Sequence, residues 1–359
     1  MLLDWTTGLL QSIVGDMPVV CSACTASPAG MELLADVGLS PPSSMHTYRG
    51  EEQALEVTLD LIERGSKVVV QHVYPRDVIP PGAMWIDPEL LSYLNNKQNL
   101  GRLVAPENVP PRSVCTSASI FGEPPRRSFP FVLKVGSDQS NGSGGAVAIC
   151  RNDEDLAPAA RRFADCPYLI VESFLSIQKN LCLNYAAMSD GSVRYLGHSE
   201  QDVGMAGQYL GNWIELGSIL PPSLPGIGLK IAEQAALLGY RGIVGIDIAV
   251  LSEGAIAVLD LNFRVNGSTP AVLFAESLLE NLGPAVMHLR AFTVSDGFEK
   301  LIAVSRHAVR RGRLIPLNFF DPVAAGYPGQ SARLRGLVVG SSRSDVLAVE
   351  SQLASEGLA

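Results

Sequence analysis

The segment AIAVLDLNFRVN, residues 255–266, decides how the rest of the chain is interpreted. Asp260, Asn262 and Arg264 stand two positions apart, with apolar residues between them. Because successive side chains of a β-strand face opposite ways, this spacing predicts a strand with three polar groups on one face and an apolar surface on the other. The same alternation places Val258 on the polar face.

A second apolar run, GIVGIDIAVL, lies just before this segment and carries Asp247. A two-residue turn at 253–254 pairs Ser252 with Ala255, and in that register Asp247 lies opposite Asp260. Directly opposed residues have Cβ atoms roughly 4.5–5.5 Å apart, where like charges repel. Two carboxylates with an amide oxygen suit Mg²⁺. A solvated strand face with ordinary charges is the alternative, and a three-residue loop would break this register.

Size and charge exclude several classes of protein. The 359 residues include 27 basic and 36 acidic ones, and the net charge of −9 argues against nucleic-acid partners. No apolar run approaches the roughly 18 residues that span a membrane. The N-terminus carries Asp4 and lacks a basic region, unlike a signal peptide. Six cysteines in a chain this long are typical of the reducing cytoplasm, which is the expected location.

The order of predicted elements indicates an α/β fold. Strand MPVVCSAC, helices MELLADVGL and EEQALEVTLDLIERG, and strand KVVVQHVYP predict an N-terminal parallel sheet. His72 ends the last of these strands, where it is either a ligand-binding or a structural residue. A helix is predicted over 86–105 and another over TPAVLFAESLLENLGPAVMHLRAFTV. Strands RLIPLNF and ARLRGLVVG with helix SDVLAVESQLA close the chain as a small α/β appendage.

A loop of glycine and serine is a candidate phosphate site. The small residues expected to let backbone N–H groups approach phosphate oxygens are Ser140, Gly142, Ser143, Gly144 and Gly145. It is not a Walker A loop, because no Gly-Lys-Ser/Thr follows. Lys134, on the strand FPFVLKV before the loop, supplies a cation for the same phosphates. A flexible linker is the alternative.

Taken in order, these features resemble the ATP-grasp superfamily. Lys97 follows two asparagines, Lys134 precedes the glycine loop, Glu172 lies on the buried strand PYLIVESFL, and the D…D-x-N motif comes last. GYRGIVGIDIAV and LDLNFRVNGSTP are similar to the signature of carboxylate–amine ligases of natural-product pathways, close to the pheganomycin-type peptide ligases.

The resemblance implies an ATP-grasp fold of the α/β class, with α+β lobes. It divides the chain into three parts: a pre-ATP-grasp domain with a parallel sheet over 1–90, a nucleotide-binding and catalytic region over 91–290, and the C-terminal appendage over 291–359. A hinge between two lobes of the middle region is expected near 172–176.

The resemblance also implies roles for individual residues. The residues expected to contact the nucleotide are Lys97, Lys134, Ser140, Gly142, Ser143, Gly144, Gly145, Glu172, Phe174, Leu175 and Asn180. The expected magnesium ligands are Asp247, Asp260 and Asn262, and the expected catalytic residues are Arg264 and Lys134. Two positions depart from the family pattern, which usually has glutamate at 260 and at the ribose-binding position, here Asn180 or Gln178.

The implied activity is ATP-dependent activation of a carboxylate as an acyl phosphate, followed by attack of an amine. The products are an amide, ADP and phosphate, in natural-product or peptide biosynthesis. The implied cofactors are ATP and Mg²⁺, two ions in the usual arrangement, with Mn²⁺ as a substitute. The expected partners are a small carboxylate, an amino acid or peptide, and an amine, with no membrane or nucleic acid.

Three other functions are compatible with the sequence. The acyl group could pass to a carrier-protein thiol, the protein could be an ATP-grasp kinase, or it could bind nucleotide without turnover. A homodimer through the amino-terminal part is a further hypothesis.

Overall fold

The computed structural model describes residues 2–40, 42–121, 128–136, 147–204, 207–283, 285–327 and 329–358. The strands in these ranges are β1 (Val19–Ser22), β2 (Met45–Tyr48), β3 (Arg112–Thr116), β4 (Phe131–Val135), β5 (Val147–Cys150), β6 (Tyr168–Ser173), β7 (Ile177–Ala187), β8 (Val193–Val203), β9 (Tyr209–Glu215), β10 (Gly242–Leu251), β11 (Ile256–Asn262), β12 (Val286–Val294), β13 (Leu314–Phe320) and β14 (Ala332–Gly340). The α-helices are α1 (Leu2–Thr6), α2 (Pro28–Ala35), α3 (Glu51–Glu63), α4 (Pro88–Asn95), α5 (Leu100–Leu103), α6 (Ser117–Phe121), α7 (Asp153–Arg162), α8 (Ser223–Leu237), α9 (Thr269–Leu282), α10 (Phe298–Arg310) and α11 (Arg343–Ser355).

The chain forms two compact units. One, the terminal unit, comprises Met1–Val68, Gly211–Ile219 and Gly267–Ala359, and the other, the central unit, comprises Val69–Leu210 and Leu220–Asn266. The three-part division expected from sequence stays a prediction, because compactness does not establish where a functional domain begins. Among the described helices, none combines the length and apolar character needed to cross a membrane.

The central unit contains two antiparallel sheets. The larger one has strands of 7 to 11 residues in the order β11, β10, β7, β8. The smaller one has strands of 4 to 6 residues in the order β3, β6, β4, β5. Apolar side chains from α4, α5 and α8 pack on the larger sheet, around buried residues such as Tyr185, Ile246 and Phe263. One face of the β10–β11 hairpin packs into this core.

The turn of that hairpin differs from the prediction. The backbone N–H of Leu251 donates to the carbonyl of Ala255 at 2.8 Å, so the loop between the strands has three residues instead of two. Gly254, in this loop, has φ +80°, a conformation that glycine adopts without strain. A loop of this length alone would move Asp247 out of register with Asp260.

A β-bulge at Leu259 restores the predicted register. Asp247 pairs with Asp260, whereas the next pair is Ile248 with Val258, so Leu259 is the additional residue. The prediction that the two aspartates face each other is therefore confirmed. The predicted placement of Val258 is wrong, because the bulge interrupts the alternation and Val258 is buried in the apolar core.

The helix predicted over 86–105 is interrupted at Asn96. Helix α4 ends at Asn95, and Asn96 is extended, with φ −77° and ψ 114°. The Asn96 side chain accepts a hydrogen bond from the backbone N–H of Gln98 at 3.0 Å, which caps a short 3-10 turn leading into α5. Lys97 therefore lies at a break between two helices, not within one.

The terminal unit contains a parallel pair of strands, β1 with β2, so the predicted N-terminal parallel sheet is confirmed. Its second strand is Met45–Tyr48, a segment for which the sequence predicted no strand. In its other sheet, β12 lies between β9 and β14, and β14 also pairs with β13. The helix predicted to continue through PAVMHLRAFTV is wrong, since α9 ends at Leu282 and strand β12 follows. Gly283, with φ +71°, ends the helix.

The strand predicted over KVVVQHVYP is also wrong. In the described chain this run has one isolated bridge, at Val68, and no ladder. Val69 and Val73 are 65% and 37% exposed, so the run does not form the buried strand that its composition suggests. A strand needs a partner as well as apolar side chains.

Two glycines of α8 give a test of the central core. A Cβ atom at Gly228 would lie 2.3 Å from the hydroxyl oxygen of the buried Tyr185, whereas a Cβ at Gly226 would meet nothing within 4 Å. We expect Gly228→Ala to lower the free energy of unfolding by about 1–3 kcal/mol through overpacking. Gly226→Ala should raise it by about 0.5–1 kcal/mol through helix propensity. Urea unfolding of both variants measures the difference, and equal effects would contradict this packing.

Candidate active site

Two carboxylates face each other on neighbouring strands of the central unit. Asp247 on β10 is paired with Asp260 on β11. Burial, and then the facing carboxylate, raise the pKa of Asp247 to about 6. Burial acts in the same direction on Asp260, but the charges of Lys97 and then Lys134 outweigh it and lower the pKa of that carboxyl. The pair is thus a site where added positive charge is favourable.

Two lysines converge on the Asp260 side of this pair. Lys97 Nζ forms an ion pair with Asp260 Oδ2. Lys134 Nζ donates to the carbonyl oxygen of Leu259 at 2.8 Å. Because a bulged residue is left out of the strand ladder, the carbonyl of Leu259 can accept this bond. The bulge therefore both sets the aspartates in register and fixes Lys134 beside them.

A buried group of charges connects the lysines. Glu172 is 3% exposed, and its Oε2 lies 2.5 Å from Lys134 Nζ. Its Oε1 lies 3.3 Å from Nη1 of Arg112, and Nη2 of Arg112 donates to the backbone carbonyl of Lys97 at 2.6 Å. Arg112 thus joins the backbone of one lysine to the counter-ion of the other.

Sequence reasoning did not identify Arg112. It lies opposite Glu172 across the β3–β6 pair, and the two residues are far apart in the chain. Its segment, RSVCT, contains no motif that distinguishes it from an ordinary exposed strand. Only the pairing of strands reveals its position.

Replacement of Arg112 tests this connection. In Arg112→Met, Glu172 keeps one cationic partner and Lys97 loses its backbone contact. We expect the free energy of unfolding to fall by about 3 kcal/mol, because one member of a buried ion pair is removed, and the KM for ATP to rise. Urea unfolding and steady-state kinetics measure the two effects. Arg102→Met, an exposed arginine of the same unit, is the control, and equal behaviour of the two variants would contradict the assignment.

Asn262 and Arg264 extend the site along β11. The Asn262 amide nitrogen donates to Asp247 Oδ2 at 3.4 Å, and its Oδ1 accepts from Nη2 of Arg264 at 2.8 Å. An amide oxygen has two lone pairs, so Oδ1 can accept this bond and still bind a cation. The structure therefore brings Arg264, Asn262 and the acidic pair together, as their spacing predicted.

Asn180 reaches the acidic pair through a residue that sequence reasoning missed. Its amide nitrogen donates to Oε1 of Gln201 at 2.9 Å, and Gln201 Nε2 donates to Asp247 Oδ1 at 2.9 Å. Asn180 Oδ1 is buried and has no hydrogen-bond partner among the described residues. This acceptor is compatible with a sugar hydroxyl, and the ribose role stays a prediction. No sequence motif marks Gln201, because only the pairing of strands places it beside Asp247.

The remaining nucleotide contacts stay predictions. Phe174 is exposed and Leu175 half-buried in the irregular segment between β6 and β7. Glu172, one of the residues expected to contact the nucleotide, is already the counter-ion of Lys134. All of the predicted phosphate-loop positions lie outside the described residues: Ser140, Gly142, Ser143, Gly144 and Gly145.

His72 is half-buried in the central unit. Burial, and then the charge of Arg264, lower the pKa of His72 to about 4, so its imidazole is neutral at pH 7. His72 is therefore close enough to Arg264 for the charge of the guanidinium to act on its imidazole.

The donor set fits a hard divalent cation. Among the residues that the structure describes, no three His, Cys, Asp or Glu side chains form a cluster suited to a metal ion. Mg²⁺, however, binds through one or two carboxylates and keeps several waters or phosphate oxygens. Asp247 and Asp260 supply the two carboxylates, and Asn262 supplies an amide oxygen. The raised pKa of Asp247 is the electrostatic sign that such a charge is favourable there.

The fold is that of the ATP-grasp proteins. The chain is similar in fold to L-amino acid ligase from Bacillus licheniformis, with TM-score 0.57 and 13% identity, over 94% of this chain and 97% of that one. N5-carboxyaminoimidazole synthetase from Staphylococcus aureus complexed with ADP gives TM-score 0.62 and 12% identity, over 98% and 94%. The N5-carboxyaminoimidazole ribonucleotide synthetase from Thermotoga maritima gives 0.57 and 18%, over 98% and 96%. At these identities the similarity shows the fold alone.

Two family models give the finer class. A model for the ATP-grasp domain of L-aspartate–L-methionine ligase matches residues 110–262, and one for the N-terminal domain of the same ligase matches residues 2–92. The chain therefore belongs to the ATP-grasp carboxylate–amine ligases, and its activity is ATP-dependent joining of a carboxylate to an amine. The predicted superfamily, fold class and reaction type are confirmed.

Proposed function

We propose that the two substrates are amino acids, one activated at its carboxyl group and the other supplying its amine. Aspartate and methionine are the first pair to test, because the matched family models bear the name of an L-aspartate–L-methionine ligase. The observation that carries the proposal is the pairing of Asp247 with Asp260 beside Lys97 and Lys134. This arrangement supplies two lysine cations for the phosphate groups and two carboxylates for the metal ion that accompanies them.

In this proposal the chain's residues act by position and charge. Lys97 and Lys134 bind the nucleotide phosphates, and Asp247, Asp260 and Asn262 hold Mg²⁺. When bound, Mg²⁺ would neutralise charge on the phosphoryl group during transfer. Arg264 holds the donor carboxylate through its planar guanidinium, which suits bidentate binding of carboxylates and phosphates. Asn262 orients that guanidinium through the 2.8 Å hydrogen bond.

The proposed reaction has two steps. A carboxylate oxygen of the donor amino acid attacks the γ-phosphorus of ATP, the bond to ADP breaks, and an acyl phosphate forms. The neutral amine of the acceptor then attacks the acyl carbon, inorganic phosphate leaves, and the nitrogen loses a proton to solvent. Phosphoryl transfer depends mainly on positioning and electrostatic stabilisation, so the first step needs no strong base.

An ADP-release assay over pairs of amino acids, with mass spectrometry of the product, tests the proposal. We expect ADP release that requires both amino acids and Mg²⁺, with a dipeptide as product. A product found only on a carrier-protein thiol would instead support acyl transfer to a carrier protein. A stable phosphoester would instead support a kinase. Absence of ADP release with every pair would contradict it.

We also propose a cytoplasmic setting. All six cysteines are free thiols, as expected in a reducing compartment. Labelling of the thiols in intact cells, before lysis, tests this: reduced thiols are expected, and disulfides would contradict it.

A further inference from the structure

A cavity of about 340 Å³ that is open to solvent lies in the central unit beside the lysine-bearing helix break. Its apolar lining comes from Val73, Pro88 and Tyr93, and its charged lining from Arg76 and Glu89. This volume is at the lower end of the ~300–1,000 Å³ typical of small-molecule sites. Apolar walls with a cation that can bind a carboxylate match an amino acid that has an apolar side chain.

The cavity adjoins the reaction centre along the chain in two places. Asn96 lines it, and the next residue, Lys97, forms the ion pair with Asp260. On its other side, Val73 follows His72, whose pKa responds to the charge of Arg264. Asn96 also lines a second, smaller pocket together with Lys97 and Asp260, so the cavity shares a lining residue with the reaction centre.

Arg76 is able to exchange its partner. It forms an ion pair with Glu89, but the two side chains are 61% and 76% exposed. Exposed pairs of this kind contribute little to stability, so replacing the Glu89 carboxylate by that of a ligand costs little. A guanidinium also binds a second carboxylate in the same fork geometry.

We propose that this cavity binds the amine-donating amino acid, with Arg76 on its α-carboxylate and Val73 and Tyr93 on its apolar side chain. The α-amine then faces the Asn96 side, towards the activated acyl group. This inference rests on the proposed function, because it assigns one of the two substrates of that reaction to a separate subsite. The acceptor must keep a free carboxylate, whereas the donor carboxylate is consumed.

The test compares Arg76→Gln with Glu89→Gln, using L-methionine and L-methioninamide as acceptors. We expect Arg76→Gln to raise the KM for L-methionine about 10- to 100-fold, the effect of losing one bond to a charged group. The KM for the amide, which lacks the carboxylate, should change little. Glu89→Gln breaks the same ion pair but leaves Arg76 free, so it should keep or lower the KM for L-methionine. If the pair is only structural, both variants will shift the two acceptors alike, which would overturn the proposal.

Two further measurements separate failure of the subsite from failure of the reaction. Trapping with hydroxylamine, in the presence of ATP and aspartate, reports the acyl phosphate without the acceptor, and we expect Arg76→Gln to leave it unchanged. A wild-type protein that yields no hydroxamate with any amino acid counts against the proposed function. Calorimetric binding of L-methionine needs no turnover, and binding that is absent, or identical in wild type and Arg76→Gln, would overturn the cavity assignment.

Discussion

Asp260→Asn is expected to reduce kcat by at least about 10²–10³-fold, the range for loss of one group that stabilises transition-state charge. The Asp260 carboxylate is the partner of Lys97 and the half of the acidic pair whose pKa is lowered, so it is ionised at neutral pH. Asparagine keeps the size of the side chain but removes the charge that faces Asp247. The measurement is ADP release at saturating ATP and substrates.

The fold should survive this change. Asp260 is about a quarter exposed, and in the variant Lys97 can turn its ammonium to solvent. Glu253→Gln, on the exposed turn of the same hairpin, is the matched control and should retain full activity. Circular dichroism and urea unfolding check that both variants are folded. If the activity of Asp260→Asn is within a few fold of wild type, the assignment of Asp260 as a metal ligand is wrong.

Lys134→Met has the second large effect, on stability as well as activity. Lys134 is the closest partner of the buried Glu172, and its loss leaves that carboxylate with Arg112 alone. We expect the free energy of unfolding to fall by about 3–5 kcal/mol, as when one member of a buried ion pair is removed. Activity should fall by about 10²-fold or more, because a cation at the proposed phosphate site is lost. Urea unfolding and ADP release measure the two changes.

The double variant Lys134→Met/Glu172→Gln separates these two roles. It removes the uncompensated buried charge, so it should recover part of the stability but none of the activity. Lys230→Met, an exposed lysine of α8, is the matched control for both measurements. A double variant as unstable as Lys134→Met would show that the ion pair does not explain the loss.

The sequence predicts the acidic pair correctly, although two details of the hairpin are wrong. The expected two-residue turn is a three-residue loop, and the bulge at Leu259 moves the register back by one position. Spacing within one strand is visible in a sequence, whereas a bulge depends on what the strand packs against. Here the carbonyl of Leu259 bonds to Lys134, a contact made across more than a hundred residues of chain.

Contacts between distant strands explain what the sequence could not reveal. Arg112 and Gln201 have no local pattern that marks them, and each reaches the site through a partner on another strand. The apolar run after Gly283 has a composition compatible with helix or strand, and its pairing with β14 decides for a strand. Local signals were sufficient where a cap or a turn marks the element, as at α3, which ends just before Gly65 with φ +92°.

The central claim is that Asp247 and Asp260 together hold the metal of a bound nucleotide. Equilibrium binding of a non-hydrolysable ATP analogue, titrated by calorimetry with and without Mg²⁺, tests it most directly. We predict that Mg²⁺ tightens binding to the wild-type protein about tenfold or more, and that it has no such effect on Asp260→Asn. The same dependence on Mg²⁺ in both proteins would contradict the claim.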